Sequence, residues 1–301
     1  MNQVRFDGRV AIVTGAGGGL GRSHALLLAS RGAKVVVNDL GGTVDGSGSS
    51  SSAADKVVAE IKAAGGEAAP SYAGVDTAEG AAQIVAAAKQ AFGRLDIVVN
   101  NAGILRDKSF LKMTDEDWQK VLAVHLYGSM YVTRAAWPLL KEANYGRVVF
   151  TTSAAGLYGN FGQTNYSAAK LGIVGLARTL AHEGMKNNIK CNVIAPVAGS
   201  RMTESIMPPE LVAKLKPEYV SPLVAWLCSE ACEESGQIYA VGGGYASRVA
   251  VVEAKGTIFD VGAGLTPEMI VERWGQINDL GGATAPANAM EAAARVMQAA
   301  G

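Results

Sequence analysis

Short apolar runs alternate with longer amphipathic stretches along most of this chain. The runs at 9–15, 34–39 and 95–103 are rich in Val and Ile and lack polar alternation. Strands of a parallel sheet that is covered on both faces have this pattern, whereas the stretches between them carry apolar residues at helical spacing. The pattern therefore predicts a doubly wound α/β fold with helices on both faces of the sheet.

The same alternation continues to about residue 244 and predicts a Rossmann-type sheet of seven parallel strands. Further strands are predicted before Asp76 and at 146–154, 190–196 and 236–244, and helices at 23–33, 53–66, 81–93, 115–140, 166–184 and 217–231. We assign residues 1–244 to a dinucleotide-binding and catalytic domain. Residues 245–301 form a C-terminal extension, which we place at the substrate mouth or at a dimer contact.

The composition argues against several classes of function. Lys plus Arg equals Asp plus Glu at 27 each, so no basic surface for nucleic acid is expected. The three cysteines are too few for a disulfide framework, and no histidine lies near Cys228 or Cys232 in sequence to complete a metal site. The chain shows no signal peptide, peroxisomal tripeptide or membrane-spanning apolar run. We therefore predict a cytoplasmic protein that binds no metal, membrane or nucleic acid.

A glycine-rich motif, TGAGGGLG at 14–21, lies between the first predicted strand and the first helix. Glycines at this point let the backbone turn tightly and approach a pyrophosphate, which the positive end of the helix dipole attracts. Gly15, Gly19, Leu20 and Gly21 are therefore candidate cofactor contacts. Because strand, loop and helix follow in the required order, a flexible loop is the weaker interpretation.

Asp39 ends the second predicted strand, 18 residues after Gly21. An acid at about this distance accepts hydrogen bonds from the adenosine ribose, and its charge repels a 2′-phosphate. No Arg or Lys stands at 38–44, so we predict NAD and not NADP as the cofactor. The alternative is that Asp39 only starts the turn before Gly41.

Two further polar positions follow strands at the same edge of the sheet. Val75 and Asp76 are placed beside the adenine, with Asp76 accepting from its amino group, and Asn101 is placed where it orders the backbone on the nicotinamide side. Plain turn chemistry is the alternative for both positions. The Gly- and Ser-rich segment at 41–56 is interpreted as a surface loop, with a cover over the adenosine as the alternative.

Tyr166 and Lys170 are spaced i, i+4 at the start of a predicted helix, so their side chains share a face. A tyrosine has a pKa of about 10, and a nearby ammonium favours its phenolate. Oxidation of a carbinol needs such a base, because the hydroxyl proton leaves as the hydride does. Ser153, at the end of the preceding strand, is placed to hydrogen-bond the reacting oxygen. Each residue alone is more often structural, and only their combination beside a dinucleotide loop favours catalysis.

In these motifs the chain resembles the short-chain dehydrogenase/reductase family. The resemblance covers most of the chain and rests on TGAGGGLG, NNAG at 100–103, Ser153, the Tyr166 and Lys170 pair and IAPVAGSRMT at 194–203. It implies that Tyr166 is the general acid/base, that Lys170 lowers its pKa and binds the nicotinamide ribose, and that Ser153 orients the substrate oxygen. It also implies cofactor contacts from the loop that carries Ala198, Gly199, Ser200, Arg201 and Thr203.

One position departs from the family pattern. Many members have an asparagine that supports a water relay, and here His125 stands in its place. Either His125 holds the same water or it is a buried histidine with a satisfied ring, and the two alternatives have equal weight.

Within the family, segments such as NNAGILRDKSF and GLYGNFGQTNYSAAKLG resemble the (3R)-hydroxyacyl-CoA dehydrogenase part of peroxisomal multifunctional enzymes of type 2. This likeness implies oxidation of a (3R)-hydroxyacyl-CoA by NAD in a homodimer or homotetramer, with a hydroxysteroid as the alternative substrate. Since 301 residues leave no room for that enzyme's other domains, a free-standing relative is expected. Arg106, Lys108 and Lys112 either meet CoA phosphates or belong to a solvated loop.

Two other classes of protein are compatible with parts of the sequence. SAAK at 167–170 matches the S-x-x-K of serine acyl-enzymes, but the companion motifs S-D-N and K-T-G are absent. A non-catalytic NAD-sensing protein on the same fold is the other alternative. The joint presence of Ser153, Tyr166 and Lys170 favours an enzyme.

Overall fold

The structure is a computed structural model that describes residues 3–199, 208–262 and 264–299. The chain divides into two compact units, Met1–Arg248 and Val249–Gly301. The role that the sequence suggests for the second unit stays a prediction.

A single twisted sheet, in the strand order β3-β2-β1-β4-β5-β6-β7-β8, organises the first unit. All pairings from β3 to β7 are parallel. The strand order reverses between β1 and β4, which is where ligands bind in open α/β sheets. The strands are β1 (Val10–Thr14), β2 (Lys34–Asn38), β3 (Glu67–Ser71), β4 (Ile97–Asn100), β5 (Gly146–Thr151), β6 (Ile189–Pro196), β7 (Ile238–Gly242) and β8 (Tyr245–Val249).

The prediction of seven strands was wrong by one strand. Gly243 and Gly244 both have positive φ, at 57° and 84°, and they connect β7 to β8 in two residues. Such a short connection joins antiparallel neighbours, so β8 runs back along the edge of the sheet. No residue of β8 is buried, and its sequence therefore lacks the apolar run by which the other strands were found.

The helices cover both faces of the sheet in the first unit and continue in the second. They are α1 (Gly19–Ser30), α2 (Ser52–Ala63), α3 (Ala78–Phe92), α4 (Asp115–Leu122), α5 (Gly128–Glu142), α6 (Ala154–Tyr158), α7 (Thr164–Glu183), α8 (Pro209–Lys214), α9 (Ser221–Cys228), α10 (Pro267–Glu272), α11 (Trp274–Ile277) and α12 (Ala289–Ala299). Shorter 3₁₀ turns lie at Phe110–Lys112, Met185–Asn187 and Pro217–Tyr219. None of the helices in the described ranges is long and apolar enough to cross a membrane.

The structure corrects two predicted boundaries. β3 ends at Ser71, so Asp76 lies in the loop that precedes α3 and not at the end of a strand. The helix predicted at 115–140 contains a π-helical turn, Ala123–Tyr127, between α4 and α5. Such a turn adds a residue to the helical repeat and is frequent at functional sites. His125 lies in this turn.

Ion pairs join the amino-terminal ends of β1 and β4. The fully buried Asp96 carboxylate accepts from the Val10 amide at 2.9 Å and from the guanidinium groups of Arg9 and Arg94. A cavity of about 310 Å³ lies beside these arginines. Because the guanidinium groups are already paired, this end of the molecule is structural.

The second unit is open in its described residues. None of its described side chains is buried, and Val271, Trp274 and Met290 are among its exposed apolar residues. A single antiparallel bridge joins Glu253 to Thr284 among the described residues. The unit therefore has no hydrophobic core of its own in the described part.

Candidate active site

A tight corner joins the ends of β1 and β4. The Asn101 amide side chain donates to the carbonyl oxygens of Thr14 and Gly15 at 3.0 and 3.1 Å. The Thr14 hydroxyl accepts from the backbone amides of Asn101 and Ala102. Asn101 thus orders the backbone of the glycine loop, and its role on the nicotinamide side of the site stays a prediction.

Glycine is required at two places in this corner. Gly15 has φ +62°, and a Cβ there would lie 2.8 Å from the Ala102 Cα. A Cβ on Gly21 would lie 2.2 Å from the Gly15 carbonyl oxygen. Larger residues would push the loop off β4, so the glycines permit close approach of backbone to backbone.

The N-terminus of α1 is open toward the groove. Its N-cap, Gly18, supplies no side-chain hydrogen bond, and the first turn contains no acidic residue. A Cβ on Gly18 would meet nothing within 4 Å. Free amide groups and the positive end of the helix dipole therefore face open space, which suits an anionic pyrophosphate.

The Asp39 carboxylate is held beside this loop by two backbone amides. Its oxygens accept from Gly17 and Gly41, each at 2.7 Å. The carboxylate is thus part of the wall of the groove and more than the start of a turn. Its fixed negative charge lies at the adenosine end of any dinucleotide that binds with its phosphates at α1.

Asp76 is in a different situation from the predicted one. Its carboxylate accepts from the Lys120 ammonium at 3.0 Å. The side chain still lines the groove, next to the buried Val75. One oxygen is therefore occupied by an ion pair, and the adenine contact stays a prediction.

Lys170 is buried, with only 3% of its surface exposed. Its ammonium donates to the Thr151 carbonyl oxygen at 2.7 Å, and the Thr152 hydroxyl fixes the Lys170 carbonyl at 2.6 Å. Burial lowers the pKa of Lys170 to about 7, because few groups replace the lost hydration of the charge. The ammonium form and the amine form of Lys170 are thus both accessible near neutral pH.

Tyr166 lies on the same face of α7. The Lys170 ammonium is 5.5 Å from the centre of its ring, and its hydroxyl hydrogen-bonds with Ser153. Burial raises the pKa of Tyr166 to about 12, against the opposing effect of the Ser153 hydrogen bond. The structure therefore brings the three predicted residues together. Ser153 is also the N-cap of α6, where its hydroxyl accepts from the Ala155 amide at 3.2 Å.

His125 packs edge-on against Tyr166, with ring centres 5.1 Å apart at 88°. Its Nε2 lies 2.8 Å from the Ile104 carbonyl oxygen and 3.0 Å from the Ile104 amide, whereas its buried Nδ1 has no partner. Burial holds the pKa of His125 well below its ordinary value, and the Lys170 charge adds to this effect. A Cβ on Gly103 would lie 2.4 Å from the His125 ring, so glycine there makes room for the histidine.

Two residues of the segment 159–165, which the sequence interpretation links to the choice of alcohol, make contacts that the sequence does not predict. The fully buried Asn165 accepts from the Tyr166 amide at 2.7 Å and donates to the carbonyl oxygens of Arg106 and Asp117, each at 3.2 Å. Gln163 donates to the Asp107 carboxylate at 2.6 Å. The only sequence signal was a polar run directly before the tyrosine.

Most of the predicted site residues line one groove of about 560 Å³. The predicted site residues in its lining are Gly15, Gly19, Leu20, Asp39, Val75, Asp76, Asn101, His125, Ser153, Tyr166, Lys170 and Ala198. Gly21 lies behind the lining, and Gly199 packs against Val212 and Leu215. Ser200, Arg201 and Thr203 lie outside the described residues.

Arg106 is not available for CoA phosphates. Its guanidinium pairs with Glu116 at 2.9 Å and Asp117 at 3.5 Å, and it donates to the Asp45 carbonyl oxygen. Lys108 and Lys112 are exposed. The basic segment thus contributes two solvent-facing cations and one structural arginine.

A groove with an open helix N-terminus at one end and a tyrosine, a serine and a buried lysine at the other fits redox chemistry on a dinucleotide. The family model described as "short chain dehydrogenase" matches residues 9–210 of the chain. The chain belongs to the short-chain dehydrogenase/reductase family. It is accordingly an oxidoreductase on a Rossmann-like α/β fold.

Two curated members of the family are similar to this chain over most of its length. Peroxisomal multifunctional enzyme type 2 of Mus musculus is 55% identical over 296 residues, which are 98% of this chain and 40% of the mouse enzyme. A short-chain type dehydrogenase/reductase of Mycobacterium tuberculosis is 55% identical over 275 residues, 91% of this chain and 96% of its own length. The chain thus spans less than half of the mouse enzyme. Because the relatives include peroxisomal and bacterial proteins, the compartment stays a prediction.

A solved structure of the same family shows the fold with ligands. A 7α-hydroxysteroid dehydrogenase complexed with NADH and 7-oxo glycochenodeoxycholic acid is 30% identical, with a TM-score of 0.72 over 80% of this chain and 95% of that one. The family and this likeness indicate a nicotinamide cofactor.

The burial of Lys170 predicts a pH dependence of the free energy of unfolding. Its pKa is about 7 when folded against an ordinary value of 10.5, so between these values the unfolded chain binds a proton that the folded chain does not. The contribution of Lys170 to the free energy of unfolding therefore falls as the pH is lowered from 10.5 to 7. The raised pKa of Tyr166 acts only above its ordinary value of 10.0.

In Lys170→Met this loss disappears. We therefore compare the free energy of unfolding of the variant with that of wild type. As the pH is lowered from about 9.5 to 7.5, the difference should shift in favour of the variant by about 1.4 kcal/mol for each pH unit. Urea unfolding across this range measures it, with the exposed Lys186→Met as the matched control. A difference that does not change with pH would contradict the buried-lysine interpretation.

Proposed function

We propose that the protein oxidises a (3R)-hydroxyacyl-CoA to the 3-ketoacyl-CoA with NAD, or carries out the reverse reduction. The observation that carries the proposal is the convergence of Ser153, Tyr166 and Lys170 on the groove that begins at the open N-terminus of α1. Similarity to the hydroxyacyl-CoA dehydrogenase part of type 2 multifunctional enzymes supports the substrate class.

The cofactor fits the residues at the adenosine end of the groove. The amides at the start of α1 and the turn at Gly15 would hold the pyrophosphate, and the Asp39 carboxylate would accept from the ribose hydroxyls. Lys170 would donate to the second ribose. The bound nicotinamide supplies the acceptor for the hydride that leaves the carbinol carbon.

The residues of the groove move the proton. Tyr166 as a phenol with Lys170 as an amine holds the same number of protons as a phenolate with an ammonium. One internal proton transfer thus converts the first pair into the second, and hydroxyl groups that accept from the Lys170 ammonium favour the second. The phenolate takes the carbinol proton as the hydride leaves, while Ser153 donates to the developing carbonyl oxygen.

His125 is proposed as a positioning residue. Its edge-on contact orients the Tyr166 ring, and its Nε2 fixes the Ile104 backbone beside the groove. Burial keeps the imidazole neutral, so one ring nitrogen remains free to accept a hydrogen bond.

A hydroxysteroid is the second candidate substrate, because a structural neighbour carries a bile-acid derivative. A serine acyl-enzyme fits the geometry poorly. The Ser167 hydroxyl is buried and is not part of the described lining of the groove, whereas its neighbours Tyr166 and Lys170 are.

The main test is NADH formation across a panel of (3R)- and (3S)-hydroxyacyl-CoAs and hydroxysteroids. We expect turnover of the (3R)-hydroxyacyl-CoAs and a loss of about 10³-fold in kcat for Tyr166→Phe, since general-base catalysis contributes about 10²–10⁴-fold. The matched control is Tyr158→Phe, which removes another phenol from the lining of the same groove. His125→Asn in the same assay should lower kcat and leave the cofactor KM unchanged.

Turnover of a steroid alcohol alone would defeat the substrate assignment. A Tyr166→Phe variant as active as wild type would support a non-catalytic protein that binds NAD. Labelling of Ser167 by a fluorophosphonate would instead support an acyl-enzyme.

The cofactor preference can be tested separately. We expect kcat/KM for NAD to exceed that for NADP by about 100-fold, because a 2′-phosphate would face the Asp39 carboxylate. Asp39→Asn keeps the size of the side chain and should reduce this ratio about tenfold. Asp76→Asn is the control for loss of a groove carboxylate that is already paired. A wild-type preference for NADP removes the argument.

We also propose that the protein is a homodimer or homotetramer in which the second unit contacts another copy. The support is that its described apolar residues are exposed. Sedimentation of the full chain should give an oligomer, and Trp274→Glu should shift it toward monomer, because a charge would enter an apolar contact. A wild-type monomer at micromolar concentration would refute the proposal.

A further inference from the structure

The Gly- and Ser-rich loop after β2 is an ordered element. We call residues 40–50 the strap. Within it, the Ser50 amide donates to the Leu40 carbonyl oxygen at 2.9 Å and the Thr43 amide to Ser47 at 2.8 Å, while the Asp45 carboxylate accepts from Thr43 and Ser47. The strap closes on itself because these bonds join its two ends and its tip.

The inner side of the strap forms one wall of the groove. Leu40, Gly42, Thr43, Val44 and Gly46 contribute to the lining, and Asp39 directly precedes them. The Asp39 carboxylate accepts from the Gly41 amide at 2.7 Å, so the base of the strap is fixed at the adenosine end.

The tip of the strap is bound to the segment that follows β4. The Leu105 amide donates to the Val44 carbonyl oxygen at 2.9 Å. The Arg106 guanidinium donates to the Asp45 carbonyl oxygen at 2.9 Å. The strap therefore spans the groove from the end of β2 to the segment after β4.

Arg106 also contacts the first turns of α4 and α7. Its guanidinium is held by Glu116 and Asp117 in the first turn of α4, which raises its pKa through the Glu116 hydrogen bond. Its carbonyl oxygen accepts from the Asn165 side chain, which in turn accepts from the Tyr166 amide. One residue thus contacts the strap through its side chain and the N-terminus of α7 through its backbone.

We propose that Arg106 is a positioning residue that fixes the strap across the dinucleotide groove and thereby retains the cofactor. The proposal rests on the proposed use of a nicotinamide dinucleotide. A bound dinucleotide leaves the groove only when the strap separates from Leu105 and Arg106. Breaking that contact should speed dissociation of the cofactor more than it changes the chemical step.

Three substitutions at Arg106 and its neighbour separate retention from folding. Arg106→Gln removes the fork to Asp45, Glu116 and Asp117. Arg106→Lys keeps the charge beside the two carboxylates, but an ammonium lacks the planar fork that also reaches the Asp45 carbonyl. Lys108→Gln is the control, since it removes an exposed cation from the same segment.

Gly46 and Gly48 supply a test that leaves Arg106 untouched. Both have positive φ, at 84° and 72°, so alanine strains the backbone at either position. A Cβ on Gly46 would lie 3.1 Å from Ile104, whereas a Cβ on Gly48 would meet nothing within 4 Å. Gly46→Ala therefore disturbs the seat of the strap, and Gly48→Ala reproduces the backbone strain alone.

The experiment measures the NADH dissociation constant and off-rate by fluorescence, kcat, thermal unfolding, and hydrogen exchange of the strap amides and of the Leu105 amide without cofactor. We expect Arg106→Gln and Gly46→Ala to raise the NADH dissociation constant and off-rate about tenfold. The same variants should change kcat less than about threefold. They should also speed amide exchange at residue 46 and at Leu105. Arg106→Lys should recover thermal stability but not NADH retention. Lys108→Gln and Gly48→Ala should match wild type in NADH binding.

Unchanged NADH affinity and exchange in Arg106→Gln and Gly46→Ala would overturn the proposal. A loss of kcat with wild-type NADH affinity would overturn it as well, because it would place Arg106 on the substrate side. If wild type itself binds no NADH, the proposed function fails, and cofactor retention by the strap fails with it. The exchange rates then still decide whether Arg106 holds the strap.

Discussion

The structure of the groove depends on the contact between the ends of β1 and β4. Asn101 donates twice to Thr14 across this pair, from its backbone amide to the Thr14 hydroxyl and from its side-chain amide to the Thr14 carbonyl oxygen. The same side-chain amide also donates to the Gly15 carbonyl oxygen. The start of α1, the glycine loop and the segment after β4 all take their positions from this corner. Because Gly15 and Gly21 pack against backbone, the corner tolerates no Cβ at either position. The strand order of the parallel sheet reverses here, and the groove lies at this point.

A second constraint is the burial of a lysine at the far end of the groove. Removing an ammonium from water is costly, and Lys170 has one backbone carbonyl as its hydrogen-bond partner. The charge is therefore poorly stabilised, which lowers the pKa of Lys170 to about 7 while burial raises that of Tyr166 to about 12. Polar groups that enter the groove have the opposite effect on the lysine. The same burial that destabilises the fold makes the proton equilibrium of the pair responsive to what is bound.

The sequence predicted the parts of this fold that follow from local pattern. The β-branched strands, the glycine loop and the i, i+4 spacing of Tyr166 and Lys170 are local signals, and the structure places them as expected. The eighth strand was missed because β8 is an exposed edge strand with no apolar run. The ion pair of Asp76 with Lys120 joins residues 44 positions apart, and Arg106 binds Glu116 across 10 positions that are not one continuous helix. No helix or strand spacing rule reveals either contact. Asn165 escaped notice for the same reason, since its partners lie in two other segments.

Buried polar atoms without a hydrogen-bond partner lower the stability of the fold. Among the described residues, four buried side-chain atoms have no partner: His24 Nε2, His125 Nδ1, Thr151 Oγ1 and Ser167 Oγ. His125 and Thr151 line the groove, whereas Ser167 follows Tyr166 on α7 outside the described lining and His24 lies on α1. An unpaired buried group costs about 1–3 kcal/mol, so a fold selected for stability alone would pair or replace it. At the amino-terminal ends of β1 and β4 the buried polar group is paired, since the Asp96 carboxylate accepts from two arginines and a backbone amide. Two of the four unpaired atoms therefore belong to residues that line the groove, and polar ligands that bind there would supply partners for them.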